Sequence, residues 1–238
     1  MHYNDLREFL DALEKRGLLK KVRAEVDPTL EVAEVQDRLV KKGGPAILFE
    51  RVKGHNIPIV GNLFGTKERV ALGLGVEEEE LKEIGEFIAL LQRPQPPEGL
   101  WDAIKKIPFF GKVLTLGPKT VRTGACQEVT HIGDGADLSM LPIIKCWPKD
   151  AAPLITWPLV VTQGTGGGPY NVGVYRMQRL DGKRLIMRWL KHRGGAAHQR
   201  QWEKENRTMP VAVAIGCDPA TIISAVTPVP EDVGEYHF

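Results

Sequence analysis

Cysteine is scarce in this chain. Only Cys126, Cys146 and Cys217 occur among 238 residues, spaced 20 and 71 residues apart. No CxxC or CxxxC pair is present. This argues against a disulfide framework or a structural zinc site and predicts buried or incidental thiols. An excess of one charge is also missing. Lys and Arg number 32 against 30 Asp and Glu, for a net charge of +2. Such a balance gives no general attraction to nucleic acid or to an anionic membrane. No apolar run approaches the ~18 residues a spanning helix needs. The opening MHYNDLREFL has no basic-then-apolar targeting pattern. A cytosolic protein is predicted. No internal repeat is visible.

What is present is ordinary for a folded chain. Apolar residues make up 42% and charged residues 26%, which excludes wholesale disorder. At ~100–200 residues per domain the length allows one large domain or two small ones.

The first ninety residues read as α/β. Asp5 and Glu8 have capping-box spacing, Leu6, Phe9, Leu10 and Leu13 share one helix face, and Gly17 can end the helix. LLKKVRAEV (18–26) suits a strand. Asp27-Pro28 is expected to open a second helix that stops at Gly43-Gly44. AILFE (46–50) and IPIVGNLF (57–64) read as strands, Thr66 as the cap of a short helix, and EEEELKEIGEFIALL (77–91) as an amphipathic helix. Its Glu77–Glu80 run is an acidic first turn facing water, which the helix dipole favours. RPQPPEG (93–99) is a proline-rich candidate linker, and a short helix is expected at 100–107.

Strands dominate afterwards: ITWPLVVT (155–162), YNVGVYRMQR (170–179), RLIMRWL (184–190) and PVAVAIG (210–216). Asp181-Gly182 between two of them predicts a hairpin whose glycine takes a positive φ. Several strands with short connections suggest a small barrel or sandwich. GTGGGP (164–169) lacks the ending of a phosphate loop and reads as a flexible hairpin tip. The final PVPEDVGEYHF reads as a turn and the first turns of a helix without a C-terminal cap, so a truncated chain is expected. Val233, Tyr236 and Phe238 would begin an apolar helix face lacking its partner, exposing apolar surface.

The densest chemistry runs from Asn171 to Gly195. MRWLKHRGGA carries Arg188, Trp189, Lys191, His192 and Arg193 into Gly194-Gly195, and AAHQRQWEKEN then reads as a helix. A cationic strand entering a helix N-terminus suits phosphate, and Trp189 offers a stacking face. A basic strand edge that discourages aggregation explains the same residues. His192 alone is an ordinary polar histidine. With Asn171 and Glu235 it would make an amide, imidazole and carboxylate set suited to Mn²⁺ or Mg²⁺. Asn171 and Arg176 are an odd number apart, so an ideal strand puts them on opposite faces. A bulge near Gly173, or a site reached from both faces, is required if both serve one site.

The same segments carry a family resemblance. NVGVYRMQ, IMRWLKHRGGA, PVAVAIGCDPATI and AVTPVPEDVGEY, with YNDLREFLDALEKRG, GGPAILFE, NLFGTKERVALGLG and CWPKDAAPLITWPL, resemble the UbiD family of prenylated-FMN-dependent decarboxylases. The likeness covers essentially the whole chain and is strongest to the branch acting on 3-polyprenyl-4-hydroxybenzoate in ubiquinone biosynthesis. It implies an α+β architecture. An N-terminal α/β domain (1–98) would precede a split β-barrel resembling flavin reductases (99–238), incomplete at its C-terminal end. By resemblance, Asn171, His192 and Glu235 bind a divalent cation, usually Mn²⁺, at the cofactor phosphate. Val174, Tyr175, Arg176, Arg188, Trp189, Leu190, Arg193 and Gly194 match cofactor-contacting positions. Arg176 also matches the arginine facing the substrate carboxylate. Backbone carbonyls near Ser224–Pro228 match a K⁺ site.

Decarboxylating an aromatic acid leaves electron density on a ring carbon. Side chains are poor electron sinks, so a cofactor must take it. The resemblance further implies a flavin prenyltransferase as cofactor supplier, a homo-oligomer at full length, and peripheral contact with the inner face of the membrane through a prenyl-tailed substrate. Family members continue beyond the helix near Glu235 with the segment that supplies the proton donor, so no general acid is assigned. Two other readings stand beside this one. The chain alone is a non-catalytic cofactor-binding fragment or a subunit needing a C-terminal partner, or the enzyme acts on a smaller phenolic acid.

Overall fold

A computed structural model describes residues 3–92, 121–228 and 235–237. Helix α1 (Leu6–Lys15) starts where Asp5 Oδ1 accepts the Glu8 amide at 2.9 Å. Glu8 answers to the Asn4 amide at 2.8 Å, one residue earlier than a capping box expects. Gly17 takes φ +72° to end the turn. Strand β1 (Leu19–Val26) pairs in parallel with β2 (Ala46–Val52), which pairs antiparallel with β3 (Ile59–Gly61). The parallel pair requires a crossover, and α2 (Glu31–Lys41) supplies it. Phe9 and Leu13 of α1 pack with Ala46, and Val32 of α2 packs with Ile47 and Phe49. Alternate β2 side chains thus fill two cores, one under each helix.

Helix α2 begins at Glu31, not at Pro28. Asp27 Oδ1 takes the Thr29 amide, and Glu31 takes the Asp27 amide at 2.7 Å. Leu30 donates to the Lys145 carbonyl while Lys145 donates to that of Pro28. A pairing across more than a hundred residues therefore holds Pro28–Leu30 out of the helix, with Leu30 at φ +71°. The 57–64 strand is shorter than expected for a similar reason. Asn62 turns to φ +54° and donates to the carbonyls of Gly44 and Pro45. Thr66 caps α3 (Lys67–Leu74), and α4 (Glu80–Gln92) follows an exposed acidic turn. The expected linker at 93–99 and helix at 100–107 lie outside the described residues.

The second half builds two three-stranded antiparallel sheets. Their strands are β4 (Leu154–Ile155), β5 (Leu159–Gly164), β6 (Gly167–Val174), β7 (Met177–Arg179), β8 (Leu185–Met187) and β9 (Ala212–Ala214). One sheet runs β4-β7-β8 and the other β6-β5-β9. Two segments expected as single strands each break and pass between the sheets, at Thr156–Pro158 and at Tyr175–Arg176. Pro158 cannot donate to a ladder, and such crossings turn flat sheets into a corner. The fold is α+β.

The β7–β8 hairpin forms, yet Gly182 is not among the glycines with positive φ. Asp181 instead accepts the amides of Lys183 and Arg184, closing a longer loop. Gly182 passes close to Asp137: a Cβ there would lie 2.8 Å from Asp137 Oδ1. The glycine-rich segment forms a hairpin tip, with Gly164 paired to Gly167 and Gly167 at φ +78°, although Gly167 to Pro169 already belong to β6.

Helix α5 (Gly194–Lys204) lies on β5, and α6 (Pro219–Ser224) packs on α3. Near the end only a single 3₁₀ turn at Glu235–His237 is described. Of the expected apolar face there, Val233 and Phe238 lie outside the described residues and Tyr236 is exposed. Among the described residues no helix is long and apolar enough to cross a membrane.

Candidate functional site

A cavity of about 1600 Å³ opens where the two small sheets meet α5. Three interactions fix α5 there. Thr162 Oγ1 meets His198 Nδ1 at 2.9 Å, Trp202 Nε1 donates to the Gln163 carbonyl at 2.8 Å, and Gly164 leaves space that a Cβ would take from Gln201. The N-terminus of α5 is thereby brought to the cavity wall beside Gly194. A Cβ on Gly194 would lie 2.8 Å from Asn171 Cγ, so the helix start can approach β6 this closely only as glycine.

The expected site residues converge on this cavity. Val174, Tyr175, Arg176, Arg188, Trp189, Leu190, Arg193 and Gly194 all line it, with Asn171, His192 and Glu235. Asn171 and Arg176 reach one site without a bulge at Gly173. The β5–β6 register runs unbroken from Thr162↔Asn171 to Leu159↔Val174. The strand ends at Val174, and the break at Tyr175–Arg176 resets the alternation. The basic segment is likewise not a strand running into a helix, because β8 stops at Met187. Residues beyond it form an irregular segment pinned by Arg200, which donates to the Lys191 carbonyl at 3.0 Å.

Asn171 and Glu235 meet directly. Asn171 Nδ2 donates to Glu235 Oε1 and the Val172 amide to Glu235 Oε2, each at 2.7 Å. Burial raises the Glu235 carboxyl above its ordinary range, opposed by these hydrogen bonds. His192 stands exposed on the same wall with no hydrogen bond to either. Among the described residues no three His, Cys, Asp or Glu side chains form a metal cluster. Of the Ser224–Pro228 stretch, Ala225 to Pro228 line the cavity, while the Ser224 carbonyl accepts the Thr227 amide.

Trp189 does not present itself simply as a stacking face. It packs edge-on to Tyr175, 4.7 Å between centroids, and fills the space where Gly195 has no Cβ. Electrostatics favour an anion. Arg176, Arg188, Lys191 and Arg193 line the cavity, and none forms an ion pair with a described residue. Sequence reasoning missed Trp147, Asp150 and His198 as cavity residues. Only Trp147 carried a signal, as an aromatic beside a proline; the others depend on tertiary placement.

Comparison with known proteins gives the fold a family. Residues 10–88 match the 3-octaprenyl-4-hydroxybenzoate carboxy-lyase N-terminal domain, and 119–238 match the Rift-related domain of the same carboxy-lyase. Among solved structures, Sedimentibacter hydroxybenzoicus vanillic acid decarboxylase in its closed form is similar at 28% identity and TM-score 0.81, covering 100% of this chain and 48% of that one. The UbiD-class enzyme HmfF from Pelotomaculum thermopropionicum, in complex with FMN, is similar at 29% identity and TM-score 0.74, covering 98% and 47%. An evolved dimeric form of HmfF in complex with prFMN has a TM-score of 0.76 at 28% identity, covering 98% and 49%. The chain spans about half the length of these relatives. It belongs to the UbiD family.

Proposed function

We propose that this UbiD family member forms the cofactor-binding half of a prenylated-FMN-dependent decarboxylase of aromatic acids. The observation that carries the reading is the set of cations Arg188, Lys191 and Arg193, without ion pairs among the described residues, leading to the N-terminus of α5 beside the Asn171–Glu235 pair. Unbonded amides at a helix start, together with guanidinium groups, bind phosphate. The close approach allowed by Gly194 fits a flavin phosphate at that point. Arg188, Trp189, Leu190, Arg193, Gly194 and Val174 would hold the flavin. Asn171, His192 and Glu235 would hold Mn²⁺ at its phosphate, a donor set suited to that ion. Backbone carbonyls near Ser224–Pro228 would serve K⁺. When bound, prenylated FMN supplies the electron sink that side chains lack.

Arg176 is the catalytic residue in this reading. It is exposed to the cavity and free of acidic partners among the described residues, so it can pair with a substrate carboxylate and orient the bond to be broken. The substrate we assign is 3-polyprenyl-4-hydroxybenzoate, giving 2-polyprenylphenol in ubiquinone biosynthesis. A flavin prenyltransferase would supply the cofactor, and the prenyl tail would bring the assembled homo-oligomer to the membrane surface. We assign residues 1–98 and 99–238 as its two domains.

One observation favours a second reading, a subunit that binds cofactor and takes its proton donor from another polypeptide. Among the described residues, both acids on the cavity wall are committed. Asp150 accepts the Trp147 amide at 3.0 Å, and Glu235 accepts two N–H groups. Incubating the flavin-loaded chain with prenylated and unprenylated 4-hydroxybenzoate separates the readings. Product from the tailed acid alone supports the first. Product from both moves the substrate to smaller phenolic acids. No product with flavin retained supports the second.

A further inference from the structure

By resemblance Tyr175 matches a cofactor-contacting position, yet the residue is buried, at 9% exposure. The ring lies over Gly173, where a Cβ would come within 2.7 Å of it, and against Trp189 at 4.7 Å. Its hydroxyl joins two groups that belong to different elements. It accepts the Gly195 amide of α5 at 3.2 Å and donates to Asn171 Oδ1 of β6 at 3.0 Å. The direction of this chain is fixed by chemistry. A backbone N–H only donates, so the phenol oxygen accepts it and turns its own proton toward Asn171. Asn171 must then offer its oxygen to Tyr175 and its NH₂ to the Glu235 carboxylate, which only accepts when ionised.

We infer that Tyr175 is a positioning residue: its hydroxyl fixes which end of the Asn171 amide faces the phenol and so keeps Oδ1 available to a divalent cation. This rests on the cation reading given above. Oδ1 has a second lone pair beyond the one held by the phenol. A divalent cation would be held by that oxygen and the Glu235 carboxylate in place of the Nδ2 hydrogen bond. Without the hydroxyl, the amide keeps only its hydrogen bond to Glu235; once a cation replaces that bond nothing orients the amide, and Nδ2, which cannot ligate, competes for the same direction. The hydroxyl also consumes the Gly195 amide, leaving the other free amides of the α5 start for phosphate.

The test is a double-mutant cycle on the full chain, read by Mn²⁺ titration followed by electron paramagnetic resonance. Tyr175→Phe keeps the ring and removes the hydroxyl, and Asn171→Asp replaces the amide by a group with oxygen at both ends. Tyr175→Phe is expected to weaken Mn²⁺ binding about tenfold or more when residue 171 is Asn. It is expected to cost less than about twofold when residue 171 is Asp, because no wrong end remains. Hydrogen exchange at the Gly195 amide should accelerate in Tyr175→Phe in both backgrounds. An equal loss in both backgrounds, or no loss in either, overturns the inference while leaving the cation reading intact. A wild-type chain that takes up no Mn²⁺ overturns the cation reading and this inference with it.

Discussion

Arg69 is the bulkiest of the fully buried side chains, at 2% exposure, and no acid pairs with it among the described residues. Its Nε donates to the Leu63 carbonyl at 3.1 Å, while Nη2 has no partner. Burial pulls its pKa down for that reason. An unpaired buried guanidinium costs several kcal/mol, and apolar replacement of similar volume is commonly neutral or stabilising. Arg69→Met is expected to leave Tm unchanged or raise it, at about 2–4 °C per kcal/mol for this length. A fall of more than about 4 °C would show that the guanidinium has a stabilising partner. At the site, Gly194→Ala places a methyl 2.8 Å from Asn171 Cγ. The amide cannot yield without breaking bonds to Tyr175 or Glu235. The variant should fold with a loss of about 1–3 kcal/mol in chemical denaturation and lose most of its affinity for FMN. Unchanged FMN affinity would remove Gly194 from the phosphate site.

At the scale of elements, the seating of α5 depends on pH. His198 joins it to β5 through Thr162, and burial holds the imidazole below its usual 6.5. The folded state therefore favours the neutral ring. The stability this contributes is fully present above pH 6.5 and is lost as pH falls below it toward the depressed folded value. Melting scans from about pH 7 to pH 5 should show Tm falling more steeply in the wild type than in His198→Gln. Parallel slopes would mean the ring titrates no differently in the folded and unfolded chains. This clamp was not legible beforehand, because His198 and Thr162 carry no spacing signal. The elements themselves were more readable than their ends. Asp5, Thr66 and Asp181 each announced a cap or turn through side-chain chemistry that acts within three residues. Pro28, Asn62 and Pro158 misled over the boundaries: the Pro28 carbonyl and the Leu30 amide bond to Lys145, the Asn62 side chain bonds to the Gly44 carbonyl, and the strands on either side of Pro158 join different sheets. At the site, the residue types from Asn171 to Gly194 pointed to anion chemistry. The joining of Asn171 to Glu235 across 64 positions was not written in any local pattern.

On the scale of the whole molecule, α6 packs on α3, and Phe64 meets Trp157 at 6.4 Å between ring centroids. A single apolar cluster joins Phe64 to Leu159, Val172 and Ile222 beneath β6. The strand that carries Asn171 therefore rests on both halves of the chain. The cavity needs that support to present its cations and its Asn171–Glu235 pair on one side. Cofactor retention tests most directly whether this surface holds a prenylated flavin. The chain would be co-produced with a flavin prenyltransferase in the presence of Mn²⁺ and purified. Its absorption spectrum and the mass of the released flavin would then be recorded. We predict prenylated FMN bound in near-stoichiometric amount, and lost in an Arg188→Ala, Arg193→Ala double variant that melts like the wild type. A cooperatively folded wild-type chain that carries no flavin would contradict the account.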